Sequence, residues 1–330
     1  MSLKNNPTLK SSTIRVGLTI GDPAGIGPAI TLKALKMLKG KVNFTVIGNS
    51  FVLSKAAKAL KIKSGYLPLE LKDLDNVKKG NFAFGRLSAE NGKASLEYLD
   101  MGVELLKKKK IDCLVTCPIS KEAINLAGSK FSGHTEYLAD KFRRKELVMM
   151  LMNDDLKFSL VTRHIPLKDV CKKLTFDGLE FNILSTIKCL KLLFLIRKPR
   201  IVICGVNPHA SDNGVIGLEE QKVIKPVIIS LRKRVKGATI TGPLSADTAI
   251  SMAAKGNFDC VIALYHDQAL IPLKLTDFDS GVNLTFGLPF VRTSPLHGTA
   301  FELAKKPIFA NPGSLVAAIK LAVKLTKNVH

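Results

Sequence analysis

Three apolar runs of this chain end in histidine: FSLVTRH at His164, RIVICGVNPH at His209 and CVIALYH at His266. Runs of this kind read as strands, and in α/β proteins ligands gather beyond the carboxyl ends of parallel strands. Imidazoles delivered there by three different strands can share one ion and leave coordination positions open for a reacting oxygen. The spacing matches no compact metal motif such as His-Glu-x-x-His. The pattern alone therefore keeps a second reading open, in which each histidine is a hydrogen-bonded loop residue.

A second group of residues suits an anion. The segment SGHTEYLAD places His134 and Thr135 after a glycine and before a helical pattern. There the ring and hydroxyl can face a phosphate or carboxylate, or Thr135 can simply cap the helix. Lys274, Asn283 and Arg292 recur at intervals of nine and would make a clamp of two cations and an amide. The planar fork of Arg292 favours bidentate oxyanion binding, although solvated strand ends explain the same residues. The turn GDPAGIGPAI follows a strand and opens a helix, a place that favours an anion. It is not the dinucleotide fingerprint, because Ile30 stands at the third glycine position and Pro28 lacks an N–H. HGTAFELA, from His297, and Asn311 in ANPGS read on their own as a capped helix and a turn.

The elements that must position these residues alternate. IRVGLTI, VNFTVIG and IDCLVTCP read as strands. They are separated by helical patterns through Leu38, over FVLSKAAKALK and over SAENGKASLEYLDMGVELLKKKK, with an irregular stretch between Gly65 and Gly85. The three histidine-ended strands continue the rhythm, with helical segments DGLEFNILSTIKCLKLLFLIRK, LEEQKVIKPVIISLRKR and ADTAISMAAKG among them. Alternation of this kind predicts a largely parallel sheet with helices on its faces. VNLTFGLPFVRTS differs, being rich in Gly, Pro and β-branched residues, and NPGSLVAAIKLAVKLTK closes the chain as a helix.

A length of 330 residues exceeds what one core usually organises, so two domains are expected. No apolar run is long enough to span a membrane, and the opening MSLKNNPTLKSSTIRVGLTI has no secretory apolar region, so a cytoplasmic location is expected. Six cysteines without a Cys-x-x-Cys pair read as free thiols rather than a disulfide framework. The net charge of +23 comes mostly from scattered lysines. With no helix-turn-helix, aromatic RNA-binding signature or zinc knuckle, it predicts attraction of anionic small molecules, not nucleic acid.

Together, GDPAGIGP, CPISK, GHTEYLAD, TRHIPL, VNPHASDNG, YHDQALIPLK, VNLTFGLPFVRTS and HGTAFELA occur in an order that resembles the 4-hydroxythreonine-4-phosphate dehydrogenases, from about Arg15 to nearly the C-terminus. The resemblance implies a homodimer related to the isocitrate and isopropylmalate dehydrogenases. It implies two α/β domains with largely parallel sheets flanked by helices, and an active site in the interdomain cleft at the dimer interface. Residues 1–125 and 276–330 would form the cofactor-side domain, and residues 126–275 the metal, substrate and dimerisation domain. By matching motif, His164, His209 and His266 would hold a divalent zinc, magnesium, cobalt or manganese ion, with ligands not necessarily from one subunit. His134, Thr135, Lys274, Asn283 and Arg292 would contact the phosphorylated substrate, and His297 and Asn311 the adenosine side of NAD or NADP.

The implied reaction is metal-dependent oxidation of 4-phosphooxy-L-threonine at C3 by NAD(P). It gives 2-amino-3-oxo-4-phosphooxybutanoate, which decarboxylates to 3-amino-2-oxopropyl phosphate on the way to pyridoxal 5'-phosphate. For the proton, Asp247, Lys121 and Asp267 are candidates, each equally able to orient a neighbour. A paralogue acting on 4-phosphoerythronate or threonate could use the same residues, and a hydrolase could use the histidines to activate water. Two departures stand out: Asp22 where the resemblance leads one to expect Glu, and AKKPIFANP without a glycine after ELA. The second leaves the cofactor contacts and the choice between NAD and NADP open.

Overall fold

The structure is a computed structural model that describes residues 13–62, 70–131, 133–144 and 146–329. The reading of the opening residues as lacking a leader, and part of the irregular stretch from Gly65, fall largely outside these residues. The first portion alternates as expected: β1 (Arg15–Thr19), α1 (Gly27–Met37), β2 (Asn43–Gly48), α2 (Ser50–Ala59), β3 (Leu71–Asp73), α3 (Ala89–Lys107) and β4 (Cys113–Thr116). Then come α4 (Lys121–Leu126), α5 (His134–Lys141), β5 (Val148–Met152), β6 (Lys157–Leu160), α6 (Val170–Lys173), α7 (Phe176–Leu192) and β7 (Arg200–Cys204). The chain continues through α8 (Lys225–Arg234), β8 (Thr239–Leu244), α9 (Ala246–Ala254), β9 (Cys260–Ala263) and α10 (His266–Thr276). It ends with β10 (Val282–Phe286), β11 (Val291–Pro295), α11 (Phe301–Ala304) and α12 (Gly313–Lys327).

The eleven strands among the described residues join one sheet in the order β3-β2-β1-β4-β11-β10-β5-β6-β9-β7-β8. Seven of the ten pairings are parallel, so the sheet is mostly parallel, as the alternation predicts. The other three, β11/β10, β10/β5 and β5/β6, are antiparallel and adjacent. Three successive reversals turn the block β6-β9-β7-β8 to run opposite to β3-β2-β1-β4-β11. The Gly/Pro-rich VNLTFGLPFVRTS forms the β10–β11 hairpin at this centre. Strands drawn from residues 1–125 and 276–330 lie on one side of the β10/β5 pairing, and those from 126–275 on the other.

The reversal decides where candidate residues emerge. His164, His209 and His266 follow β6, β7 and β9, which end on the same edge of the sheet. Asp22, Lys121 and His297 follow β1, β4 and β11, which end on the opposite edge.

Side-chain alternation along the strands then separates two unlike faces. One is apolar from end to end: Val16 and Leu18 of β1, Val115 of β4, Val282 and Leu284 of β10, Met150 of β5 and Ile201 of β7 pack under α1, α12, α7 and α8. The other face carries two separate apolar patches, one under α2 and α3 and one under α9 and α10. Between them, at the hairpin, the residues pointing to this face are Thr116, Arg292, Ser294, Asn283 and Thr285. This polar strip, flanked by two cores, is the floor of the candidate site.

Candidate active site

Arg292 is 2% exposed. Its Nη1 donates to Thr285 Oγ1 at 3.0 Å and its Nη2 to Thr116 Oγ1 at 2.6 Å, while Nε has no partner. Glu136 supports the charge through space, but that carboxylate is paired with Arg163 at 3.9 Å. Burial pushes the guanidinium pKa down to about 10. A buried cation held only by neutral hydroxyls is costly unless an anion completes it.

His134, the first residue of α5, stands in the same field. Burial first, and then the Arg292 charge, hold its pKa well below the ordinary imidazole value, so the ring is neutral. It bonds the Cys117 backbone, and its Nε2 is buried without a partner. Asn283 Oδ1 on β10 and Thr19 Oγ1 on β1 are buried and partnerless in the same way. Buried polar atoms without protein partners are rare, and several on one strip mark a surface shaped for a polar ligand. Thr135 lies buried beside His134.

His164 and His266 meet at the next part of this face, with ring centres 5.5 Å apart and planes inclined by 47°. Two imidazoles on one tetrahedral ion, with bonds of about 2.0–2.1 Å, have their centres roughly 5 Å apart, so the pair fits as two donors. His266 Nδ1 is 2.6 Å from Asp267 Oδ1, a contact that orients the ring and leaves Nε2 as its ligating nitrogen. Burial, then the charge of Lys121, depress the His164 pKa and favour the neutral, ligating form. The pair lines a cavity of about 310 Å³ with Arg163, Ile165, Leu167, Val170, Tyr265 and Asp267. Lys121, at the start of α4, and Glu136 flank Gly133, because a Cβ there would lie 3.9 Å from Lys121 Cε and 3.7 Å from Glu136 Oε2.

The remaining candidates do not join this cluster within one chain. Among the described residues, no group of three His, Cys, Asp or Glu is close enough to hold an ion. His209 is exposed and lies near Asp247, whose pKa is lowered chiefly by a Ser245 hydrogen bond and slightly by His209. Lys274 is exposed in the last turn of α10, its Nζ 5.5 Å from the Phe278 ring centre. The backbone at His209 is unusual. His209, Ala210, Ser211, Asp212 and Asn213 all have φ between 44° and 70°. Left-handed geometry costs roughly 1–2 kcal/mol per non-glycine residue, so the surroundings must enforce it.

The GDPAGIGP turn proves to be a packing device. A Cβ on Gly27 would sit 2.0 Å from the Ile20 carbonyl oxygen, and Gly21, at φ +70°, is pressed against the Pro118 carbonyl. Its amides are already bonded: Asp22 N–H to the Pro118 carbonyl, Ala24 N–H to Asp22 Oδ1, Gly25 N–H to the Asp22 carbonyl and Ile26 N–H to the Thr299 carbonyl. The turn thus docks α1 on the 297–300 loop instead of offering these groups to a phosphate. In that loop His297 Nε2 is buried without a partner, and Asn311 Oδ1 accepts from Gly313 N–H at 2.8 Å to open α12.

Asp22 is fully buried, and burial raises its pKa from 3.8 to about 6 despite the bonds from Ala24 and Gly25. The folded state holds this proton more tightly than the unfolded chain. The penalty is therefore absent below about pH 4 and complete once pH has risen through 6, at about 3 kcal/mol. Asp22→Asn keeps the Oδ1 acceptor but buries an amide, leaving a net gain of about 1–2 kcal/mol at pH 8, or roughly 1.5–3 °C in Tm. No gain is expected at pH 4. Thermal unfolding of both proteins at the two pH values checks this, and equal gains at both would rule out the carboxylate as the cause.

Thr116, Thr285, Glu136 and Arg163 belong to the site but escaped the motif reading. Polar residues on an otherwise apolar strand, as in CLVT and VNLTF, are the signal that Thr116 and Thr285 left; Glu136, on α5, and Arg163, after β6, left none of that kind.

Comparison with known proteins places this geometry. Residues 33–322 match the family model described as pyridoxal phosphate biosynthetic protein PdxA. A 4-hydroxythreonine-4-phosphate dehydrogenase of Sulfurihydrogenibium sp. (strain YO3AOP1) is 43% identical over 329 residues, spanning 95% of this chain and 99% of that protein. The crystal structure of the Klebsiella pneumoniae 4-hydroxythreonine-4-phosphate dehydrogenase is 32% identical with TM-score 0.84, covering 96% of this chain and 99% of that one. A terephthalate 1,2-cis-dihydrodiol dehydrogenase from Burkholderia xenovorans LB400 is 27% identical with TM-score 0.62, covering 94% and 98% of the two chains. No helix among the described residues is long and apolar enough to cross a membrane. On its family model and on relatives of 43% and 32% identity that span nearly the whole chain, the chain belongs to the 4-hydroxythreonine-4-phosphate dehydrogenase family, the PdxA proteins of pyridoxal phosphate biosynthesis.

Proposed function

We propose that this chain oxidises 4-phosphooxy-L-threonine at C3 with NAD or NADP, giving the 3-keto acid that loses carbon dioxide to form 3-amino-2-oxopropyl phosphate. The observation that carries the reading is Arg292, a buried cation with neutral partners and a free Nε, beside a neutral His134. That pocket selects an anionic group. With Thr135 and Asn283 on the same floor, it would fix the phosphate and so orient C3, which lets remote binding energy serve the reaction.

His164 and His266 are the two donors one chain offers to a divalent ion, and His209 is the third, contributed by a second subunit of a homodimer. The exposed apolar residues Ile271, Leu275 and Phe278, on and after α10, and Val215, beyond the left-handed stretch, fit burial against that subunit, which would also bring Lys274 and Asp247 to the site. When bound, the ion would acidify the C3 hydroxyl and the nicotinamide would accept hydride. Asp247, near His209, would take the hydroxyl proton, and Lys121, near His164, would do so only as the neutral amine. His297 and Asn311, on the other edge of the sheet, would hold the adenosine end of the cofactor across the polar strip.

The test is an absorbance assay at the nicotinamide band with a panel of 4-phosphooxy-L-threonine, 4-phosphoerythronate and unphosphorylated diols, with NAD and NADP and each divalent metal. Reduction with the phosphorylated amino acid at least tenfold above the others is expected. Turnover confined to the non-amino acid would move the assignment to the paralogous reaction, and phosphate release without reduction would make the chain a hydrolase.

A further inference from the structure

One buried carboxylate has no part in the site described above. Glu220 is fully buried ahead of α8 and accepts three hydrogen bonds. Val206 N–H and Asn207 N–H reach its Oε1, each at 2.8 Å, and the Asn207 side-chain amide reaches its Oε2 at 2.9 Å. These donors lie on the exit from β7, immediately before Pro208 and His209. From the other side, Gln268 Nε2 donates to the Gly205 carbonyl at 2.9 Å, and Gln268 Oε1 accepts from Leu264 N–H at 2.7 Å. The contact is close: a Cβ on Gly205 would lie 2.8 Å from Ala210 Cα and 3.1 Å from Glu220 Oε1. The left-handed stretch therefore folds back onto its own strand end, against the carboxylate.

Five consecutive left-handed residues persist only where their surroundings leave no other path. Ile216 N–H to the Ser211 carbonyl and Gln221 Nε2 to the Asn213 carbonyl tie down the far end of the stretch. Glu220 ties down the near end, where the direction of His209 is set. We propose that Glu220 is a positioning residue for His209, holding the β7 exit on the path from which the left-handed turn presents that ring to a metal site shared with a second subunit. This rests on the reading of His209 as a metal donor. Glutamate suits the task because both oxygens only accept, whereas a glutamine turns one of them into a donor facing other donors.

The experiment titrates cobalt(II) into metal-free wild type, Glu220→Gln, Asn207→Ala and His209→Ala, reading the visible absorption of the ion, which reports donor number and geometry. Hydrogen exchange at residues 206–213 is followed in the metal-free proteins. Glu220→Gln is expected to weaken cobalt binding about 10–100-fold, to shift the spectrum towards that of His209→Ala, and to speed exchange at 206–213 while β6 and β9 stay protected. Asn207→Ala, which removes the amide's bonds to Glu220 Oε2 and Glu219 Oε2, is expected to do the same more mildly; with Glu219→Gln, expected to bind cobalt as wild type does, as its control, it decides the matter if Glu220→Gln does not fold. Wild-type cobalt binding by Glu220→Gln, or by Asn207→Ala in that case, overturns the proposal if His209→Ala has lost the metal. Wild-type binding by His209→Ala overturns the metal reading itself, and the proposal with it.

Discussion

Arg292→Met should lose about 3–5 kcal/mol of transition-state binding, roughly 10²–10⁴ in kcat/KM, while the protein becomes no less stable. The two effects have one origin. In the free protein the guanidinium is buried, has two hydroxyl partners and a free Nε, and has its pKa pushed down to about 10 by burial. Replacing such a charge by an apolar side chain of similar length is neutral or stabilising by about 1–4 kcal/mol in other buried sites. An ordinary core arginine that served only packing would behave in the opposite way, losing stability and sparing KM. Inorganic phosphate adds a second readout: it should raise the Tm of wild type with the logarithm of its concentration above Kd and leave that of Arg292→Met unchanged. Thermal unfolding with and without phosphate, alongside steady-state kinetics, measures both, and a variant with wild-type kcat/KM would remove Arg292 from the site.

His209→Ala and His266→Ala should each lose at least about 10³-fold in kcat as homodimers, yet a mixture of the two should regain activity. The reason is geometric. One chain brings His164 and His266 together with ring centres 5.5 Å apart, and no third donor of the kind joins them among its described residues. If His209 serves the opposite subunit, a mixed dimer has one site with all three histidines intact and one with two lesions. Random reassortment makes half the dimers mixed and each carries one working site, so about a quarter of wild-type activity should return. Subunit exchange by brief denaturation, followed by assay and metal analysis, reads this directly. No recovery beyond the parents would mean that the third donor does not cross between subunits.

Part of the candidate site was legible as residue types near strand ends and helix starts. His164 and His266 lie together, and Arg292 and His134 share one electrostatic pocket. The chemical meaning of Arg292 was not legible, because it depends on which groups are missing around it. Thr116, 176 positions away in sequence, is its 2.6 Å partner, and nothing local to LPFVRTS announces that. The glycines of GDPAGIGP read as an anion-binding turn from spacing, yet they serve backbone contact with Ile20 and Pro118. Spacing shows where a side chain is absent, and only the neighbours show what fills the room.

What the sequence determined by itself was the alternation of strands and helices over most of the chain, β5, β8 and α10 aside, their amphipathic faces and the supply of imidazole, guanidinium and hydroxyl groups near their ends. These follow from periods of two and 3.6 residues and from turn chemistry, both of which act over a few neighbours. Tertiary structure alone decided that half of the sheet runs backwards, that a polar strip separates two cores, and that His209 is held in a left-handed turn apart from the other two histidines. Those outcomes depend on pairing between distant strands, where the free energy of burial is shared by the whole sheet and no short segment carries it.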